Sequence, residues 1–307
     1  MTANFPYIFV PSYKRAKNIK TLKYFAKIGY DVKKIVIFID NETPDVEDYK
    51  EECGKYGCGL HVFSIDEARQ CYDFVHRPTP SRRAAGMARN MMHDYAIEKK
   101  IDFFVVIDDD TNCFAVRYFG KKEKRANLKQ IVNCFSSIEN MMKARHIGCF
   151  GLSQSGDIYS ERNLVLFRKK IMNVTFYLHP YIHRGERGVQ DDDTSQFLGI
   201  FNSGLFGGSL GDGIILHQTP SATATGGLTE LYNEAKLLNK ALVCPIQYPS
   251  AVYAEKQTSN GNRIHHRIMY KHIVPKILKN EGGRDNIAWD AYDEDSVFSL
   301  ARKRKKI

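Results

Sequence analysis

Nowhere do about 18 apolar residues run together, the length a helix needs to cross a bilayer, so nothing in the sequence reads as a membrane span. The opening Met-Thr-Ala-Asn-Phe-Pro has neither the basic segment nor the apolar core of a secretion signal. C-x-x-C pairs are also missing. The seven cysteines, Cys53, Cys58, Cys71, Cys113, Cys134, Cys149 and Cys244, are odd in number and scattered, which argues against a zinc ribbon or a redox pair. A reducing, cytoplasmic setting is the expectation. Acidic charge is in deficit, with 35 Asp and Glu against 45 Lys and Arg, a formal +10. That balance favours a polyanionic partner such as DNA, RNA or a nucleotide, or signifies only a basic surface; the distribution of the charge has to decide. No internal repeat or clear linker divides the 307 residues.

What is present, over the first half, is an alternation of strand-like and helix-like segments. Tyr7 to Val10 is a short apolar run, and Ala16 to Ile28 carries Ile19, Leu22, Phe25 and Ala26 at helical spacing. Lys34 to Ile39 is β-branched, with Thr43-Pro44 placed to start a helix. Leu60 to Ser64, the helical stretch Ser81 to Lys99, and the strand Phe103 to Ile107 follow, the last apolar on both faces and so expected to be central. Leu128 to Ala144 reads as a helix and Ile147 to Leu152 as a strand, with Thr111 to Lys124 between the aspartates and that helix read as polar and basic. The expected class is α/β, a mostly parallel Rossmann-type sheet with helices on both faces. Residues 1–152 would form a nucleotide-binding half and 153–307 an elaborated acceptor-side region, within one continuous domain. In that second part Val165 to Phe167 is strand-like, Ser221 to Gly227 is a small-residue loop, and Arg263 to Leu278 reads as a helix.

The sharpest feature is Asp108-Asp109-Asp110, which ends the Phe103 to Ile107 run. Adjacent carboxylates repel and resist burial, so a positive group belongs beside them. In an open α/β sheet the carboxyl ends of the strands face the ligand crevice. An extended chain would send Asp108 and Asp110 to one side and Asp109 to the other. Oxygen ligands suit Mg²⁺ or Mn²⁺, an ion that could neutralise a departing diphosphate. The bland alternative is an acidic turn capping the next element.

Phe-Val-Val-Ile-Asp-Asp-Asp resembles the D-x-D strand of the GT-A glycosyltransferases. Three further segments match that fold family in order: Phe9 to Arg15, Ile37 to Asp40, and Gly86-Met87-Ala88-Arg89-Asn90. The chain looks most like the phage and TET-associated glycosyltransferases, which decorate hydroxymethylated bases in DNA. The resemblance implies a UDP-sugar donor held by Pro11, Ser12, Tyr13, Arg15, Asp40, Gly86, Arg89, Asp108 and Asp109. It also implies a Mn²⁺ or Mg²⁺ ion on Asp108 and Asp110, with His217 as a further ligand. Read on their own chemistry, Arg15 and Arg89 offer planar donor forks suited to diphosphate oxygens, or to a local carboxylate.

Transfer to a hydroxyl needs a base, and the second acidic triplet, Asp191-Asp192-Asp193, supplies three candidates without distinguishing among them. Helix N-capping is the competing use. Basic residues expected to meet a DNA acceptor are Lys121, Lys122, Lys124, Arg125, Arg184, Arg187, His266 and Arg267. Three rival readings remain: a small or carbohydrate acceptor, a phosphatase of the haloacid-dehalogenase type, and a non-enzymatic nucleic-acid-binding protein. The phosphatase normally carries its aspartates on the first strand, and simple nucleic-acid binding leaves both acidic triplets without a purpose.

Overall fold

The computed structural model describes residues 5–71, 85–117, 123–145, 147–154, 165–167, 170–178, 192–202, 206–211, 213–218, 237–257 and 263–273. Lys121, Lys122, Arg184, Arg187, Asp191, the loop Ser221 to Gly227 and the end of the chain lie outside them.

The first half follows the expected alternation. Strands β1 (Tyr7–Pro11), β2 (Ile35–Asp40), β3 (Gly59–Phe63) and β4 (Phe103–Ile107) are joined through helices α1 (Lys20–Ile28), α2 (Val46–Tyr56), α3 (Ile65–Cys71) and α4 (Ala85–Glu98). They lie parallel, in the order β3-β2-β1-β4. The near-continuous apolar runs of β1, β2 and β4 are explained by burial on both faces, whereas β3 is an edge strand and only partly buried. Ile8, Val10, Ile35, Ile37, Ile39, Val105 and Ile107 point into one core with α1 and α2. Phe9, Val36, Phe38, Phe104 and Val106 point into a second, where Met92 and Ala96 of α4 pack.

Beyond β4 the sheet departs from the simple pattern. Helix α5 (Leu128–Arg145) leads to β7 (Ile147–Gly151), as its periodicity predicts, yet β7 does not neighbour β4. A later strand, β10 (Val174–Leu178), lies between them and runs antiparallel to both. The strands β11 (Phe206–Leu210) and β9 (Val165–Phe167) complete this eight-stranded sheet. The segment after the aspartates, read as polar and basic, contains β5 (Thr111–Arg117), whose Phe114 and Ala115 are buried. It pairs with β6 (Lys124–Arg125) and β12 (Gly213–Gln218), and β12 pairs in turn with β8 (Ser153–Gln154).

Helix α6 (Asp192–Asn202) and helix α7 (Leu237–Gln247) lie in the second half. The predicted helix over Arg263 to Leu278 is corrected: Arg263–Ile268 is strand β14, paired with β13 (Val252–Gln257). The spacing of Ile264 and Ile268 fits a helical turn and a two-residue alternation equally, and pairing with β13 decides for the strand. Among the described residues no helix is long and apolar enough to cross a membrane.

Candidate active site

The acidic triplet leaves the carboxyl end of β4, flanked by β1 and β10. Strand alternation persists for two residues. Asp108 turns to the α4 side, where its Oδ1 accepts from Arg89 Nη2 at 3.2 Å. Asp109 turns to the α1/α2 side, where Arg15 Nη1 and Ser12 Oγ donate to its two oxygens, each at 2.6 Å. The chain then turns, so Asp110 does not rejoin Asp108. Its Oδ2 lies 3.8 Å from the same Arg15 Nη1. The positive charge demanded by three adjacent carboxylates is thus supplied by the two arginines, the second use foreseen for them. Burial pushes the Asp109 carboxyl up from its ordinary value, against the pull of Arg15 and Ser12.

The backbone of this turn is held by α1. Thr21, fully buried, donates its hydroxyl to Asp108 O and accepts from Thr111 N at 3.1 Å, while its own N–H reaches Asp109 O at 3.2 Å. On the neighbouring strand, the loop after Pro11 is tied to β2 by Ser12 N donating to Phe38 O at 3.0 Å. Tyr49 of α2 reaches into that loop: its hydroxyl lies 2.7 Å from Ser12 Oγ and accepts from Arg15 N at 3.1 Å. Burial pushes the Tyr49 hydroxyl well above its usual range, so it stays protonated. Asp40, at the end of β2, accepts from Glu42 N at 2.9 Å. Gly86 is buried near the start of α4, one turn before Arg89.

Of the second triplet, Asp193 is brought to the site. Burial opposes its ionisation, but Lys170 Nζ at 2.7 Å, with help from Arg89 and the Thr194 N–H, holds its carboxyl below the usual carboxylate range. Arg89 therefore acts on Asp108 and Asp193 together. Asp192 opens α6, and Asp191 lies outside the described residues. His266, expected to meet DNA, is instead buried against Thr194, with Nε2 at 3.3 Å from the hydroxyl. His217 is held by Glu123, Nε2 to Oε2 at 2.8 Å. Among the described residues no three His, Cys, Asp or Glu side chains converge on a metal position, so Asp108, Asp110 and His217 do not form a ready-made set. A hard ion that keeps diphosphate and water among its ligands needs only one or two carboxylates, and a carboxylate at the end of β4 suits that demand. Lys124 and Arg125 are exposed, and Arg267 is exposed with its guanidinium on Glu255.

Residues 7–194 match the family described as TET-Associated Glycosyltransferase. The chain belongs to that family. No curated protein matches the sequence. Among solved structures, the chain is similar to the mannosyltransferase PcManGT from Pyrobaculum calidifontis in complex with GDP-Man and Mn²⁺, at 11% identity and a TM-score of 0.45. That match covers 72% of this chain and 59% of the mannosyltransferase, so the chain spans well under two thirds of that relative. It is also similar to glucosyl-3-phosphoglycerate synthase from Mycobacterium tuberculosis in complex with Mn²⁺, UDP-glucose and phosphoglyceric acid, at 10% identity and a TM-score of 0.40, covering 86% of each chain. The chain has a mixed α/β fold, a large central sheet flanked by helices.

Sequence reasoning missed Thr21, Tyr49 and Lys170. Thr21 and Tyr49 sit inside amphipathic helices, where they pass for core positions. Lys170 lies in a stretch with no periodicity, and only the reversed direction of β10 brings it to the acidic end of β4: Val174, at the start of β10, pairs with Ile107, at the end of β4.

Proposed function

We propose that the protein transfers a sugar from a UDP-sugar to a hydroxymethylated base in DNA, such as 5-hydroxymethylcytosine, with Mn²⁺ or Mg²⁺. What supports this reading is the charge shared at the end of β4: Arg89 pairs with Asp108 at 3.2 Å, and its positive charge, with that of Lys170, also favours the ionised form of Asp193 at the start of α6. Asp108 belongs to the donor half of the fold and Asp193 to the acceptor half.

In this reading Pro11, Ser12, Tyr13, Arg15 and Asp40 receive the nucleoside at the ends of β1 and β2, and Gly86 allows the donor to approach α4. Arg15 and Arg89 lie close enough to Asp108 and Asp109 to share their charge with diphosphate oxygens. Asp108 and Asp110 would hold the divalent ion, which supplies charge neutralisation for the leaving diphosphate. Asp193, kept ionised by Lys170, accepts the proton of the attacking hydroxyl. Lys124, Arg125 and Arg267, with Lys121, Lys122, Arg184 and Arg187, would contact the phosphate backbone. A base within a duplex would have to leave the stack to reach Asp193.

The test is incubation with a panel of UDP-sugars, Mn²⁺ and hydroxymethylated duplex DNA, followed by mass measurement of the released nucleosides. A sugar mass on the modified base is expected, lost on adding a chelator and in Asp193→Asn. Sugar release to a carbohydrate or small acceptor, with no mass on any base, would replace the DNA acceptor and leave glycosyl transfer standing.

A further inference from the structure

Helix α2 grips the loop 12–17 at four points. Tyr49 meets Ser12 and Arg15, Asp45 Oδ2 accepts from Ala16 N at 3.3 Å, and Asp48 lies 3.2 Å from Lys17 Nζ. Asp45 sits at the N-terminal end of α2 but makes no side-chain cap to its own helix; it spends an oxygen on the loop instead. The loop needs holding. Lys14 has φ +54°, in the left-handed region that a non-glycine residue adopts at a cost, and its ammonium sits 5.0 Å from the centre of the Tyr13 ring.

The hydrogen-bond inventory fixes the direction of the chain. Ser12 has one hydroxyl proton and gives it to Asp109. Its oxygen therefore accepts from Tyr49, which leaves the Tyr49 oxygen to accept from Arg15 N–H. The order is Tyr49 to Ser12 to Asp109, with Arg15 bound at both ends: by its backbone to Tyr49, and by its guanidinium to Asp109. The phenol is fully buried, so water has no ready path to replace it.

We infer that Tyr49 is a positioning residue for the donor: without touching substrate, it holds Ser12, Tyr13 and Arg15 in the shape that receives the nucleotide diphosphate. This rests on the donor-site reading above. In Tyr49→Phe the ring stays in the core, while the hydroxyl that ties Arg15 N–H to Ser12 Oγ is gone.

The experiment compares wild type, Tyr49→Phe, Asp45→Ala and the surface control Lys50→Ala by calorimetric binding of UDP and by donor kinetics. Tyr49→Phe should weaken UDP binding and raise donor KM about 10-fold, the scale of one buried hydrogen-bonding hydroxyl removed, with kcat changed less than about twofold. Asp45→Ala should move KM in the same direction, and Lys50→Ala should move nothing. A purely structural role would lower thermal stability and apparent kcat while leaving KM and UDP affinity at the wild-type value. That result overturns the inference and leaves the donor site intact. A wild-type protein that binds neither UDP nor GDP overturns the donor reading, and the role of Tyr49 falls with it.

Discussion

Replacing Lys170 by methionine would leave burial as the dominant influence on the Asp193 carboxyl, opposed by the charge of Arg89 and the Thr194 N–H. In the wild type the folded pKa of Asp193 is depressed, so its ionised form stabilises the fold above the ordinary carboxylate pKa of about 4, and that contribution is lost as pH falls through the depressed value. Lys170→Met should cost about 2 kcal/mol at neutral pH, a difference that thermal unfolding at a series of pH values would show shrinking in acid and lost only once pH falls through the depressed pKa of Asp193. The acid limb of the transfer rate should also move to higher pH. The acidic residues themselves were legible because a wholly apolar strand ran straight into them, whereas Lys170 and Tyr49 owe their roles to contacts 23 and 37 positions away.

At the scale of elements, the parallel strands were legible as short apolar or β-branched runs, the helices α1, α4 and α5 by their helical pattern, and α2 by the Thr43-Pro44 start signal before it. β10 was not. Val-Thr-Phe-Tyr-Leu is a good strand, but nothing local says that it enters the sheet between two earlier strands and against their direction. Its neighbour β7 carries the sign of how tight that insertion is. A Cβ at Gly151 would collide with Ile171 Cγ2, in the buried approach to β10. Gly151→Ala should therefore destabilise the protein by about 1–3 kcal/mol, measured by chemical denaturation, and should also impair transfer because Lys170 is the residue next to Ile171. Strand β14 was misread as a helix, yet His266, singled out in that segment, does reach the site: it packs on Thr194, adjacent to Asp193.

For the whole molecule, the formal charge of +10 becomes meaningful only through where it lies. Lys124 and Arg125 are exposed on β6, which pairs with the strand that leaves Asp110. If they neutralise DNA phosphates, the logarithm of the binding constant should fall linearly with the logarithm of salt concentration. The Lys124→Ala, Arg125→Ala double variant should then reduce that slope by about 2, with no change in base preference. Fluorescence anisotropy over a salt series would measure it; an unchanged slope would move the DNA path away from β6.

The reversed strand has a last consequence. Because β10 is the wedge between β4 and β7, a fragment stopping near residue 152 would hold two strands that both belong to the sheet and have no way to touch. Each would present a bare row of amides and carbonyls to any passing chain, the condition that drives edge-to-edge aggregation. A nascent chain therefore leaves that slot unfilled until residues 174–178 arrive.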